Sequence, residues 1–326
     1  MSIHPLVSPA DLLRTALHHY RAHIQYLITL FTVPFVLTTL AFLSSLGFSR
    51  PTLALVSGLL GLGASITALS ASIGLISALA AGTLGESIVT TFRRSYPLLI
   101  PFIILACVNL FISLGSFSLL IIPGLILSIL LSQTVFTFII DGKRGFTALL
   151  ASWQLVRGFF WQVVVRLAIL WVITALTVGI VMLVLSLFGL GPAPTVSPTE
   201  VFEFARAYAT TRTLPTMIIF AGLKLFILTP FAILFLFELY QSLKAHTVHL
   251  PQLTAESLKK RRMILVACGV IGLIALLIFF IFSLVLFNYA IQALELSGGP
   301  HRDFVQILTE LRSLSPQHIQ AIFTRP

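Results

Sequence analysis

The sequence predicts an all-α, polytopic integral membrane helix bundle of about seven spans, a six-span core followed by one C-terminal span, with interfacial amphipathic helices between them. Three observations predict it. Hydrophobic residues make up 58% of the 326-residue chain and charged residues only 9%, whereas a soluble domain carries about 25% charge. Mean hydropathy is +1.06, and several apolar runs exceed the roughly 20 residues that a helix needs to cross about 30 Å of hydrocarbon. Lipid satisfies no backbone donor or acceptor, so such runs must be helical.

Reading apolar runs against polar breaks gives spans near 24–46, 53–84, 97–116, 118–140, 159–189, 215–240 and 263–288. No secretory signal is expected, because the first run begins at Ile24, is long enough to span and lacks a small-residue cleavage site. Gly115, Ser116 and Ser118 mark the break between the third and fourth spans, which predicts a tight helical hairpin. Pro123-Gly124 predicts a kink just inside the fourth. Residues 1–242 then form the six-span core, 243–262 a basic linker, 263–288 the added span and 289–326 an amphipathic tail.

Amphipathic segments flank the spans. Over 144–157, Phe146, Leu149, Leu150, Trp153 and Val156 recur at helical spacing beside Lys143, Arg144 and Arg157, which predicts a helix in the headgroup plane. At the N-terminus, Ser8-Pro9-Ala10-Asp11 reads as a capping box with Asp for Glu, leading a stripe of Leu12, Leu13, Ala16, Leu17 and Tyr20. Ile88, Val89, Phe92, Arg93, Arg94 and Tyr96 form a shorter third elbow. All three precede an odd-numbered span, a weak internal repeat. Residues 198–210 and 302–314 are amphipathic on the opposite side.

The net charge of +10 follows from the positive-inside rule and anionic headgroups, and nucleic acid is set aside. With the N-terminus in the cytoplasm, Arg14, Arg21, Arg93, Arg94, Lys143, Arg144, Arg157, Lys244, Lys259, Lys260, Arg261 and Arg262 fall inside. Arg50, Arg206, Arg212, Arg302, Arg312 and Arg325 fall outside, and Arg166 and Lys224 lie within spans. That bias sets the expected orientation and, through the odd span number, an external C-terminus.

The stretches Pro123-Gly124-Leu125-Ile126-Leu127, Phe138-Ile139-Ile140-Asp141-Gly142 and Ala148-Leu149-Leu150-Ala151-Ser152-Trp153-Gln154-Leu155-Val156-Arg157-Gly158, with Trp161, form a pattern. It resembles the membrane domain associated with some glycerophosphodiester phosphodiesterases, a group with many stand-alone prokaryotic members. The resemblance centres on 120–165 and implies a six-span membrane fold tied to lipid or envelope biology in a prokaryotic cytoplasmic membrane. That family's phosphodiester chemistry belongs to a separate soluble barrel with paired Glu and His residues, which this chain lacks, so no catalytic residue carries over.

Few residues stand out for chemistry. Ser70, Gly74, Ala78 and Gly82, spaced by four, predict a helix-packing face, and Glu86 continues the series toward the bundle interior or its mouth. Lys224 lies ten positions into the sixth span, near mid-membrane, where a charge costs about 2.5–3.5 kcal/mol. It is expected to face a cavity, an anionic headgroup or a partner such as Glu86, Asn109 or Gln133. Arg166, flanked by Trp161 and Trp171, is expected to reach headgroups or hold a lipid phosphate. Pro230 is expected to free a helix carbonyl.

His19 with His23 and His246 with His249 have helical spacing but lack the Glu of an HExxH motif, and Cys107 and Cys268 stand alone, so no metal site, cofactor or disulfide is read. Gly58, Gly61 and Gly63 lie inside an apolar run and are no nucleotide fingerprint. The expectation is a non-enzymatic membrane component that contacts anionic lipid through Lys143, Arg144, Trp153, Arg157 and Trp161, or binds a membrane protein partner. The alternative is a small permease using Lys224, with Glu86 and Arg166 as further candidates.

Overall fold

A computed structural model describes residues 6–45, 51–119, 121–187, 213–247 and 255–296. Among them every regular element is helical: α1 (Pro9–Ala22), α2 (Ile24–Ser45), α3 (Pro51–Ala81), α4 (Ile88–Leu119), α5 (Ile121–Leu130), α6 (Thr134–Ile139), α7 (Phe146–Arg157), α8 (Phe160–Leu187), α9 (Thr213–Gly222), a π-helical turn (Leu223–Leu228), α10 (Thr229–Thr247) and α11 (Ala255–Leu296). Seven helical stretches are long and apolar enough to cross a membrane: Ile24–Ser45, Thr52–Ala81, Ile88–Ser118, Ile121–Ile139, Phe160–Leu187, Pro215–Thr247 and Glu256–Tyr289. The amphipathic readings of 198–210 and 302–314 and the tail from 297 onward lie outside the described residues.

The packed core sits toward one end of the bundle. The largest fully buried side chains include Tyr240 and Phe235 of α10, Phe138 of α6, Leu149 of α7, Leu75 of α3 and Leu12 of α1. Away from that end side chains face outward, as Leu55, Leu59 and Leu62 of α3 and Ile278, Phe279 and Phe282 of α11 do. In lipid this costs nothing, since hydrocarbon is as apolar as leucine.

The elbow at the N-terminus folds as a capped helix: the Ser8 hydroxyl accepts from the Asp11 amide at 3.1 Å. Its stripe, Leu12 and Ala16, is buried against α10 and α2. The stripe of α7 is likewise turned inward, with Ala148, Leu149, Ala151, Ser152 and Val156 all buried. Both helices thus lay much of their apolar side on protein, although Leu17 of α1 stays 41% exposed, and their basic residues face out. The third elbow, 88–96, is the opening of α4, which runs through Pro97 and Pro101 without a break.

The hairpin between the third and fourth spans forms, but its turn comes after Leu119 rather than at Gly115–Ser118. Gly124 is needed there, because a Cβ would sit 2.6 Å from the Phe117 ring. Pro123 falls in the first turn of α5, where a missing N–H costs no hydrogen bond, so it produces no kink. The fourth span breaks instead at 131–133, between α5 and α6.

The expected linker over 243–262 is taken up from both ends, since α10 runs to Thr247 and α11 begins at Ala255. The seventh span seats on α4. A Cβ built at Gly115 would fall on the Cys268 carbonyl oxygen, and one at Gly272 on that of Phe111, so the two backbones touch where neither residue has a side chain.

Candidate functional site: a basic face where two distant elements meet

The turn after α6 carries Asp141, Lys143 and Arg144, with Gly142 (φ 66) and Gly145 (φ 51) in the left-handed conformation that lets the chain reverse into α7. Lys143, Arg144 and Arg157 are all exposed. The start of α11 brings Arg261 and Arg262 to the same face, and Lys259 and Lys260 are exposed just before them in that helix. The Arg261 guanidinium lies 5.4 Å from the Trp153 ring centre and that of Arg262 lies 5.8 Å from Phe146. Arg144 stacks over Phe138 at 4.6 Å. Aromatic faces thus hold three cations, of which Arg144 and Arg262 are exposed while Arg261 is half-buried with one terminal nitrogen out of solvent.

Nearby acids do little to neutralise this face. Asp141 is taken by Lys244 at 2.6 Å, and Glu256 is exposed in the first turn of α11. Trp161, 76% exposed at the start of α8, offers an amphipathic ring of the kind that sits at a membrane interface. The structure therefore gathers Lys143, Arg144, Trp153 and Arg157 with the α11 cations. Sequence reasoning counted the α11 cations toward orientation but had no signal placing them on α7.

Arg166 is elsewhere. It is 5% exposed on α8, and its two terminal nitrogens donate to the carbonyls of Gln162 and Val7, the first at 2.8 Å. The Leu6 amide donates to Gln162 Oε1 at 3.4 Å and the Val7 amide to Ser242 Oγ at 3.4 Å. The expectation of a headgroup-seeking arginine is corrected: the guanidinium clamps the N-terminal segment onto α8 and α10, because the Val7 carbonyl just ahead of the Ser8 cap and the Gln162 carbonyl one turn back in α8 lie within its reach. No residue-spacing signal links positions 159 apart.

Glu86 lies beyond α3, which closes at Gly82 (φ 66) with the Thr83 amide bonded to the Ala78 carbonyl at 2.9 Å and the Gly82 amide to Leu79 at 3.2 Å. It therefore leaves the helix face that the spacing suggested and pairs with Arg94 at 3.0 Å, beside a shallow polar recess also lined by Arg21, His23 and Tyr26. Of the small-residue series, Ser70, Gly74 and Ala78 are buried, and a Cβ at Gly74 would meet Thr91 at 2.5 Å. Gly82 is a helix cap with open space around it.

Lys224 sits in the π-helical turn and is exposed on the outer surface, while its flanking residues Leu223 and Leu225 are buried. No ion pair joins it to Glu86, Asn109 or Gln133 among the described residues. The expectation of an inward partner is corrected, and the physical reason is the extra residue of the π turn together with a stem long enough to run toward the interface. Pro230 cannot donate to the Phe226 carbonyl, and the Tyr20 hydroxyl bonds that carbonyl at 2.9 Å.

His19 approaches Glu238 at 3.5 Å rather than His23, and the His246 ring bonds the Ser242 carbonyl at 2.8 Å and packs on Phe159. His249 lies outside the described residues. Cys107 and Cys268 are both free. Among the described residues no three of His, Cys, Asp or Glu come together. In comparison with known proteins, no family model, curated protein or solved structure matches this chain, so the resemblance over 120–165 stands on those residues alone.

Proposed function

We propose that the chain is a non-enzymatic component of a prokaryotic cytoplasmic membrane that recognises anionic lipid headgroups through the basic face of α7 and the start of α11. The observation that carries this is the convergence of Lys143, Arg144 and Arg157 with Arg261 and Arg262 of α11, three of the cations being held by aromatic rings. Cations near an anionic surface contribute about 1 kcal/mol each at low salt. In this reading the α7 end faces the cytoplasm, in keeping with the excess of Lys and Arg there. The outward placement of Lys224 takes away the inward charge on which the permease alternative chiefly rested.

The test is lipid retention by the whole purified chain, extracted gently from membranes containing both phosphatidylglycerol and phosphatidylethanolamine and weighed by native mass spectrometry. Phosphatidylglycerol is expected to be enriched over its share of the membrane. Changing Lys143, Arg144 and Arg157 together to Gln should lower that enrichment by up to about 100-fold at low salt. Equal enrichment in the wild type and the triple variant would overturn the proposal.

A further inference from the structure

A second feature lies within the membrane-spanning region, away from the basic face. Between α4 and the broken fourth span, α5–α6, is a cavity of about 360 Å³. It falls in the size range of small-molecule sites. Phe102 and Leu105 supply apolar wall, and Asn109, Ser113, Ser128, Ser132 and Thr134 bring polar groups into it. Ala106 and Leu110 line it too and are themselves exposed, so the cavity reaches the outer surface of the bundle sideways. By the 1.5 Å helical rise, Asn109 lies about 15 Å from the end of α4, half the hydrocarbon thickness.

The polar groups in this wall differ in how they are satisfied. Ser128 bonds the Gly124 carbonyl at 2.9 Å and Thr134 the Leu131 carbonyl at 2.6 Å, each within its own segment. Asn109 Oδ1 and Ser132 Oγ are buried and have no hydrogen-bond partner among the described residues. Next to Ser132 in the chain, Gln133 is wholly buried, and neither polar atom of its side-chain carboxamide finds a partner among the described residues. A polar atom without a partner in hydrocarbon costs several kcal/mol, and two of these three side chains front one cavity open to lipid.

We infer that this cavity binds a neutral lipid carrying a free hydroxyl, with the hydroxyl seated between Asn109 and Ser132 and the acyl chains leaving past Ala106 and Leu110. No Lys, Arg, Asp or Glu lines the cavity, so a charged headgroup would be drawn to mid-membrane with nothing to neutralise it. Phospholipid esters only accept hydrogen bonds and cannot serve Asn109 Oδ1. A hydroxyl both donates and accepts, which suits the carboxamide in either orientation. Diacylglycerol, with one hydroxyl and two chains, represents the class.

The experiment places the full chain in phosphatidylcholine nanodiscs with a trace of photoreactive diacylglycerol, or with the same probe as its methyl ether. Adducts are mapped by peptide mass spectrometry. The hydroxyl probe is expected to label the stretch around Asn109 about tenfold more than the ether, the value of roughly one hydrogen bond. Excess plain diacylglycerol should suppress this labelling, and Asn109→Leu and Ser132→Ala should each reduce the preference. The two probes on the unaltered protein suffice even where a variant fails to fold. Equal labelling by both probes, as for a cavity holding only water, would overturn the inference, as would a preference that neither substitution changes. Cross-links joining two copies of the chain through this cavity would do the same.

Discussion

Hydroxyl side chains in a membrane helix commonly bond back to the carbonyl four residues earlier, and Thr29, Thr32 and Thr38 of α2 do so. Ser152 is used differently. Its hydroxyl donates to the Leu130 carbonyl at 2.8 Å and accepts from the Gln133 amide at 3.1 Å, both buried and both at the break in the fourth span. Thr137, one turn into α6, ties the same break to the Ala148 carbonyl at 3.0 Å. Backbone interrupted at membrane depth is tolerated only where protein replaces the lost bonds, and α7 is that protein. Ser152→Ala should therefore cost about 1–3 kcal/mol, read as a lower unfolding midpoint in a detergent titration, whereas Thr32→Ala should change it by much less. An equal effect of the two would contradict this role.

Among the elements, the spans, the capped start of α1 and the apolar stripe of α7 were legible because hydropathy and 3.6-residue periodicity are local properties. What covers a stripe is not local. Leu149 and Val156 read equally well as facing lipid or protein, and only the arrival of α5, α6 and α10 decides it. Glu86 misled for a related reason: a four-residue series predicts a shared helix face only while the helix lasts, and Gly82 ends it. The close approach of α4 and α11 carries no local signal of that kind, because neither Gly115 nor Gly272 has a Gly, Ala or Ser four residues to either side, whereas Ser70, Gly74 and Ala78 repeat at a spacing of four. That contact makes its own prediction. With Cys107 changed to Ser, Gly115→Ala should push α11 off α4 and raise the labelling rate of Cys268, now buried, several-fold with a membrane-soluble maleimide. An unchanged rate would mean that the two helices part without disturbing that thiol.

At the scale of the molecule, the packed end and the basic face coincide. Buried side chains concentrate on α1, α6, α7 and α10, and the cations of α7 and of the start of α11 lie over them. The apolar lengths that fix the span number were legible in composition; which basic residues meet was not, because α7 and the start of α11 are joined through folding alone. The proposed orientation is checked by single cysteines at 143 and 259 in a chain with Cys107 and Cys268 replaced. Both should react with a membrane-impermeant maleimide in inside-out vesicles and resist it in right-side-out ones. Opposite behaviour of the two positions would contradict their sharing a face, and reaction of both in right-side-out vesicles would reverse the orientation.

The clamp of Arg166 on the Val7 carbonyl also sets an order in time. Residues 6–22 are made well before their seats on Gln162, Arg166, Ser242 and Glu238. At a synthesis rate of about 5–20 residues per second, roughly 8–30 s separate the appearance of Val7 from that of Arg166. Through that interval α1 has its apolar stripe and no α10 to lay it on, and the bilayer surface is the place where such a helix can wait. The helix is made long before it can be housed, and its docking waits on the arrival of α10.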